Sequence, residues 1–277
     1  MPDLLATPIE PPLRVLITGA NGLIGNIVYA HLAALSHRYR PFGTARRREP
    51  SARINTAFCH IPDEQLQLAD LSDLAAVQRV VQGMDVIVHM AANASSNADW
   101  PSVLRDNIVS TYNVFEAARQ AGVKRVIFAS TNQVVFGYRD IEPYKSLFAG
   151  RFDGIDSNSY RPIHHTQPTR PLNDYAASKV QGEALAHLYA HAHGLSCLVL
   201  RIGWVTGDDK VPVRPGFNGG MLWCSQRDIV QLVERCIVAP PSLRFDVFFG
   251  HSRNRYNLVD IQHTIDVLGY APADGAD

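Results

Sequence analysis

Tyr175 and Lys179, the ends of "YAASK", stand at i and i+4 and lie one above the other if the chain there is helical. A phenol with a pKa of roughly 10 is protonated at neutral pH, and a nearby ammonium favours the phenolate, so the pair is suited to proton transfer. Upstream, "STNQVVFG" (Ser130 to Gly137) follows the apolar run "RVIFA". It puts two hydroxyls, Ser130 and Thr131, and two amides, Asn132 and Gln133, where a buried strand should end. A hydroxyl there can orient a substrate oxygen. The amides can donate and accept hydrogen bonds but have no accessible pKa, so they orient hydroxyl groups and cannot carry the protons of an elimination.

A third chemical feature lies near the start of the chain. "TGANGLIG" spaces Gly19, Gly22 and Gly25 between a strand-like run and a helix-like one. A tight turn needs glycine, a pyrophosphate needs a missing side chain to come close, and helix-on-sheet packing needs another. The helix N-terminus then meets the phosphates with free N–H groups and the positive end of its dipole. Glycines also mark ordinary turns, but the strand before and the helix after favour a dinucleotide cradle here.

These residues need a scaffold, and the rest of the chain supplies one. "RVLITG", "YRPFGTA", "LQLAD", "DVIVHMAA", "VKRVIFAS" and "SCLVLRIG" are strand candidates. Helical stretches alternate with them: Leu23 to about Leu35, "DNIVSTYNVFEAARQAG" ending at Gly122, and "NDYAASKVQGEALAHLYAHAHG" closed by Gly194. Apolar strands interleaved with helices predict an α/β fold, a Rossmann-type doubly wound parallel sheet covered on both faces. We divide the chain into an extended tail (1–12), a dinucleotide-binding domain (13–203) and a small C-terminal substrate lobe (204–277). A polar stretch rich in Pro, Gly and Asp, 139–171, is expected to run as an excursion over the carboxyl edge of the sheet. In the lobe, a helix is expected near 227–238, a strand near 245–249 and a last helix near 261–268.

Taken together the motifs resemble the extended branch of the short-chain dehydrogenase/reductase superfamily, over roughly residues 13–205. The glycine spacing G-x-x-G-x-x-G is similar to that branch, and so is "HMAA" (His89 to Ala92) after the fourth strand. Asp70 and Leu71 resemble the pair that holds the adenine. "DNIVSTYN" resembles its D-N-x-x-G-T-x-N helix, with Ser110 in place of the glycine. The resemblance implies a cofactor held by Gly19, Asn21, Gly22, Leu23, Ile24, Gly25, Asp70, Leu71, Ala91, Ala92, Lys179 and Ile202. It also implies that the second hydroxyl of the Ser-Thr pair is the active one, which selects Thr131 beside Tyr175 and Lys179 as the catalytic set. Nucleotide-sugar dehydratases of the family carry Asp and Glu where this chain has Asn132 and Gln133, so dehydration is disfavoured. Val135 is an extra residue in this turn, and Phe136 stands for the usual Tyr.

The cofactor's identity turns on the end of the second strand. An acid there binds the ribose hydroxyls in NAD enzymes. This chain reads "GTARRRE", with Arg46, Arg47 and Arg48 instead. Guanidinium groups suit a 2′-phosphate, so NADP is expected over NAD, with Arg46 and Arg47 as its contacts and Arg46 foremost. A solvated basic loop is the plainer alternative.

Only 70 residues, 208–277, follow "RIGWVTG", too few for a large nucleotide-gripping lobe. A free sugar or uronate fits better, and "VIFASTNQ" and "SQRDIVQLVERCIVAP" are among the stretches that resemble uronate dehydrogenases. Ser95, Asn132, Gln133, Tyr175 and Trp204 are the expected substrate contacts. Arg214 and the pair His164 and His165 are further candidates. A nucleotide-sugar epimerase that retains its cofactor, or a non-catalytic dinucleotide sensor, would use the same cradle.

Lys plus Arg and Asp plus Glu number 26 each, which gives no general attraction to nucleic acid or anionic membranes. No apolar run is long enough to span a bilayer, and the first residues do not resemble a secretory signal. Cys59, Cys197, Cys224 and Cys236 have no disulfide-like spacing, which suits a reducing cytoplasm. No metal site is expected: His187, His191 and His193 read as a solvated helix face. The resemblance implies a homodimer paired through the helices around 107–120 and 175–193.

Overall fold

The computed structural model describes residues 12–55, 57–157, 160–214 and 217–277. The expected N-terminal tail, up to residue 11, lies outside the described residues, as does the side chain of Arg214. Seven strands form one parallel sheet: β1 (Leu13–Thr18), β2 (Tyr39–Ala45), β3 (Leu66–Leu68), β4 (Val86–His89), β5 (Arg125–Thr131), β6 (Ser196–Ile202) and β9 (Phe245–Gly250). Between β6 and β9 lies a two-stranded antiparallel ribbon, β7 (Val213–Arg214) and β8 (Phe217–Asn218). The sheet order is β3-β2-β1-β4-β5-β6-β9. Chain direction across the sheet therefore reverses between β1 and β4. That switch point opens the crevice in which α/β sheets bind ligands.

The central strands are buried on both faces, which is why they read as unbroken apolar runs rather than alternating ones; every residue of β4, β5 and β6 is buried. One face is covered by α1 (Leu23–Ala34) and α7 (Gln226–Val238), packed on Val15, Ile17, Ile127, Leu198 and Leu200. The other is covered by α2 (Leu74–Val80), α4 (Ser110–Gln120) and α6 (Asp174–His193), packed on Leu16, Ile87, Phe128 and Val199. Gly182 lets α6 lie directly on the sheet: a Cβ there would stand 2.2 Å from Phe128 Cζ. Side chains cap α2, α6 and α7 at Asp73, Asn173 and Ser225, each accepting an orphan helix N–H for about 1 kcal/mol. Gly194 closes α6 at φ 71°, as its position in the sequence predicts.

The stretch after Trp204 is more closely joined to the main body than its irregular sequence suggests. β9 pairs in register with β6, from Cys197 opposite Phe245 to Ile202 opposite Gly250, and α7 packs on α1. The last helix, α8 (Gln262–Leu268), packs on β9 and α7. The expected polar excursion also holds more structure than its composition shows. A 3-10 segment (Asn132–Asp140) leads into it, and α5 (Tyr144–Phe148) lies within it. Tyr138, Tyr144, Leu147 and Ile163 are buried in a third cluster with Val134, Val135, Met221 and Phe249. These apolar residues follow no helical or strand period, so sequence pattern alone reads them as loop.

Candidate active site

The glycine turn sits where the sheet order reverses. Gly19 has φ 68°, and a Cβ there would meet the Ala91 backbone at 2.9 Å; a Cβ on Gly25 would meet Gly19 O at 2.3 Å. Glycine is therefore required at both positions, by backbone conformation at the first and by close approach at the second. No side chain caps α1 at Gly22, which leaves its first-turn N–H groups to an outside acceptor. Asn21 Nδ2 donates to the carbonyls of Arg47 and Arg48, while its Oδ1 is buried without a partner. An unused buried acceptor beside uncapped helix amides fits a polar ligand at this turn. His89 fastens the turn from below. Its ring lies between Thr18 Oγ1 (2.8 Å) and Thr111 Oγ1 (3.2 Å), and Thr18 Oγ1 accepts from Ala91 N. Full burial, then the Lys179 charge, push His89 down to about 3 and keep it neutral.

The other expected cofactor contacts lie around this crevice. Leu23 and Ile24 form the first turn of α1, and Ile202 ends β6 opposite Thr131. Asp70 accepts from Ser72 N and Oγ, which holds its carboxyl below the usual range, and Asn113 Nδ2 donates to Leu71 O. Ala92 follows Ala91 in the same loop. Of the three arginines, Arg46 binds Asp106 with Nη1 at 2.9 and 3.0 Å from the two carboxylate oxygens. Arg48 pairs with Asp63, and Arg47 is exposed. Arg105 also donates to Asp106, so that carboxylate offsets part of the positive charge at the end of β2.

At the carboxyl ends of β5 and β6 the fold brings Thr131, Tyr175 and Lys179 together. Successive residues of a strand point to opposite faces, which separates the two hydroxyls. Ser130 Oγ donates to Glu183 at 2.5 Å, whereas Thr131 Oγ1 accepts from Gln133 N and sits close enough to the Tyr175 hydroxyl to favour its phenolate. Lys179 Nζ donates to Ala129 O at 2.7 Å and lies 5.9 Å from the Tyr175 ring. Burial pushes the Tyr175 phenol up, opposed by the Thr131 hydroxyl and the Arg53 charge. The expectation that Lys179 supplies the opposing charge does not match this balance. The lysine is itself depressed by burial, from its ordinary 10.5 to about 7, with Glu183 pulling the other way.

That depression has a testable sign. Between pH 7 and 10.5 the unfolded chain holds more proton on this lysine than the folded one, so its contribution to stability rises with pH. Above pH 9 the buried thiols of Cys197 and Cys236 act oppositely, because burial raises their pKa values and the folded chain keeps their protons. From pH 7 to 9 the urea midpoint should climb, and less steeply in Lys179→Met. Parallel curves for the two proteins would contradict the depressed lysine.

The two amides are fixed by partners that the sequence does not announce. Asn132 Nδ2 donates to His251 Nε2 (3.2 Å), so His251 Nδ1 carries the proton and donates to Asn257 Oδ1 (2.7 Å). Burial lowers His251 to about 4, which keeps this relay neutral. Gln133 Oε1 accepts from Asn173 Nδ2, and Asn173 caps α6 just before Tyr175. Trp204 packs its ring 5.9 Å from that of Phe217, against the third cluster. The hydrogen bonds of Ser95 stay in its own loop, with Asn93 and Asn97. His165 turns to the sheet edge, where its ring stacks on His263.

Two residues of the site went unread in the sequence. Asn107 lies in a π-helical segment (Leu104–Val109) that widens the helix and leaves its amide buried. Its Oδ1 accepts from Asn93 N, and its Nδ2 donates to Asn93 O and to Ser178 Oγ, which donates to Tyr175 O. It thus clamps the loop after β4 to the start of α6. Its place inside "DNIVSTYN" was the available signal. Arg53, whose charge reaches Tyr175, donates to Ala94 O from the long connection after β2. No motif marks it.

Comparison with known proteins accords with this geometry. The model of the NAD dependent epimerase/dehydratase family matches residues 15–222. An NAD-dependent glucose-6-phosphate dehydrogenase of Haloferax volcanii is 31% identical, over 95% of this chain and 94% of its own length. An L-arabinose 1-dehydrogenase (NAD(P)(+)) of the same organism is 32% identical, over 95% and 97%. The crystal structure of uronate dehydrogenase from Agrobacterium tumefaciens superposes with a TM-score of 0.72 at 29% identity, covering 95% of this chain and 85% of that one. Glycine cradle, parallel sheet and relatives agree: this chain belongs to the NAD-dependent epimerase/dehydratase family, in the extended branch of the short-chain dehydrogenases/reductases.

Proposed function

We propose that this protein transfers hydride between a nicotinamide dinucleotide and a small polyhydroxylated substrate, a free sugar or a uronate, with Thr131, Tyr175 and Lys179 as the catalytic set. Its relatives are named as dehydrogenases of sugars and uronates, which makes it an oxidoreductase of that kind. The observation that carries the finer reading is the convergence of Thr131, Tyr175 and Lys179 under the end of β5 beside two oriented amides. When bound, the dinucleotide supplies or accepts the hydride. The cradle of Gly19, Asn21, Gly22 and Gly25 would hold its pyrophosphate, and Lys179 its nicotinamide ribose.

Within that frame Tyr175 exchanges the proton of the reacting oxygen and Thr131 orients that oxygen. Burial favours the neutral phenol, the form that donates a proton in reduction; the Thr131 hydroxyl and Arg53 favour the phenolate, which accepts one in oxidation. Asn132 and Gln133, held by His251 and Asn173, orient substrate hydroxyls without moving protons. Screening uronates and aldoses with each dinucleotide for reduced-cofactor absorbance tests this reading. Tight dinucleotide binding with no turnover on any of them would overturn it.

NADP is the preferred cofactor in this proposal, and NAD is accommodated by the same cradle. Arg46 supports it, with Arg47 beside it, because a guanidinium can donate paired bonds to a 2′-phosphate. Arg46→Asp should weaken NADP binding by about 10–100-fold, the worth of a hydrogen bond to a charged group, with a much smaller effect on NAD. Fluorescence titration with both cofactors measures it, and equal losses would refute the assignment. We also infer a homodimer in a reducing cytoplasm, paired through α4 and α6, which expose Tyr112 and Leu188. Among the described residues no helix is long and apolar enough to cross a membrane.

A further inference from the structure

At the outer edge of the sheet three side chains from distant parts of the chain converge. His165 comes from the excursion, Asp246 from β9 and His263 from the first turn of α8, and one ligand atom from each lies within 4.8 Å of the others. Asp246 Oδ2 is 3.0 Å from His263 Nε2. The rings of His165 and His263 stack at 3.7 Å and 16°, and His263 also stacks on Phe248. His165 Nδ1 is shut off from solvent and has no hydrogen-bond partner. A buried polar atom of this kind calls for a partner. Among the described residues this is the one group of three or more His, Cys, Asp or Glu with ligand atoms so close.

We propose that His165, Asp246 and His263 bind one divalent first-row transition ion, with Zn²⁺ the leading candidate. Two imidazoles and one carboxylate suit a borderline ion, whereas Mg²⁺ and Ca²⁺ take all-oxygen sets. Bonds of about 2.0–2.2 Å from nitrogen and oxygen place neighbouring ligand atoms a little over 3 Å apart, and because imidazole lone pairs lie in the ring planes, the stacked rings of His165 and His263, now at 16°, open away from one another as the triangle closes on an ion. Neutral imidazole is the binding form. Burial, with His263 and His164 beside it, lowers His165 to about 4 and keeps its lone pair free at neutral pH. Asp246 Oδ1 accepts from Val247 N, which orients the carboxylate and leaves Oδ2 to the ion. Three protein ligands leave a fourth position for water.

Such an ion would pin the end of the excursion to the sheet edge. His165 O accepts from Arg201 Nη1 at 3.1 Å, and Arg201 holds Glu183, which holds Ser130. The pinned segment is therefore joined by hydrogen bonds to the strand end that carries Thr131.

The test reads metal rather than turnover. Chelator-stripped full-length protein is titrated with ZnCl₂ by calorimetry and with CoCl₂ by visible absorption. One equivalent per chain is expected, with the intense bands of four-coordinate cobalt. His165→Asn and the near-isosteric Asp246→Asn should each weaken Zn²⁺ binding by at least about tenfold and remove the bands. Replacing both His187 and His191, whose rings lie 4.2 Å apart on the exposed face of α6, should change neither readout. Substoichiometric binding, binding unchanged in the first two variants, or binding lost with the α6 pair would each overturn the proposal.

Discussion

Tyr175→Phe should lower turnover by about a thousandfold while leaving dinucleotide affinity within a fewfold of the parent. A positioned general acid–base group contributes roughly 10²–10⁴ to rate, and Phe keeps the ring while deleting the group that exchanges the proton. The fold should tolerate the change. Tyr175 is buried and its ring stays in place, so the change removes one hydroxyl and leaves the packing intact. The cradle at Gly19 to Gly25 lies on another strand end and should bind cofactor as before. Steady-state rates with the best substrate of the screen, together with cofactor titration, read the two quantities separately. Turnover within tenfold of the parent would remove Tyr175 from the proton-transfer role.

Glu183→Ala should cost roughly 3–5 kcal/mol of stability, because it leaves a buried guanidinium without its counter-charge. Glu183 takes Arg201 Nε at 3.0 Å and Nη2 at 2.8 Å, with both side chains under a tenth exposed, and it also accepts from Ser130. For a chain of this size the melting temperature should fall by on the order of 10 °C. Removing both charges tests the cause: Glu183→Leu with Arg201→Met should recover much of the loss, because an apolar pair of similar volume pays no desolvation. A double variant no more stable than Glu183→Ala would mean that shape, not the orphaned charge, sets the cost. Glu183 also opposes the depression of Lys179, so the single variant should move the lysine further down.

Much of this molecule is legible from local pattern. Buried parallel strands read as short β-branched runs, and the glycines at Gly19 and Gly25 stand where backbone conformation or close approach forbids a side chain. Thr131, Tyr175 and Lys179 fall at a strand end and on one helix face, positions set by periods of two and 3.6 residues. Sequence decided those because their causes are local: a dihedral angle, a hydrogen-bonding period, a missing Cβ. Tertiary structure alone decided which groups meet across long separations. Asn132 is oriented by His251, 119 residues away, and Arg46 is answered by Asp106, 60 residues away. The third cluster and the His165, Asp246 and His263 triangle arise likewise where the excursion folds against the elements around β9. Such pairings leave no period in the chain, because they depend on where the connections carry each residue once the sheet has formed.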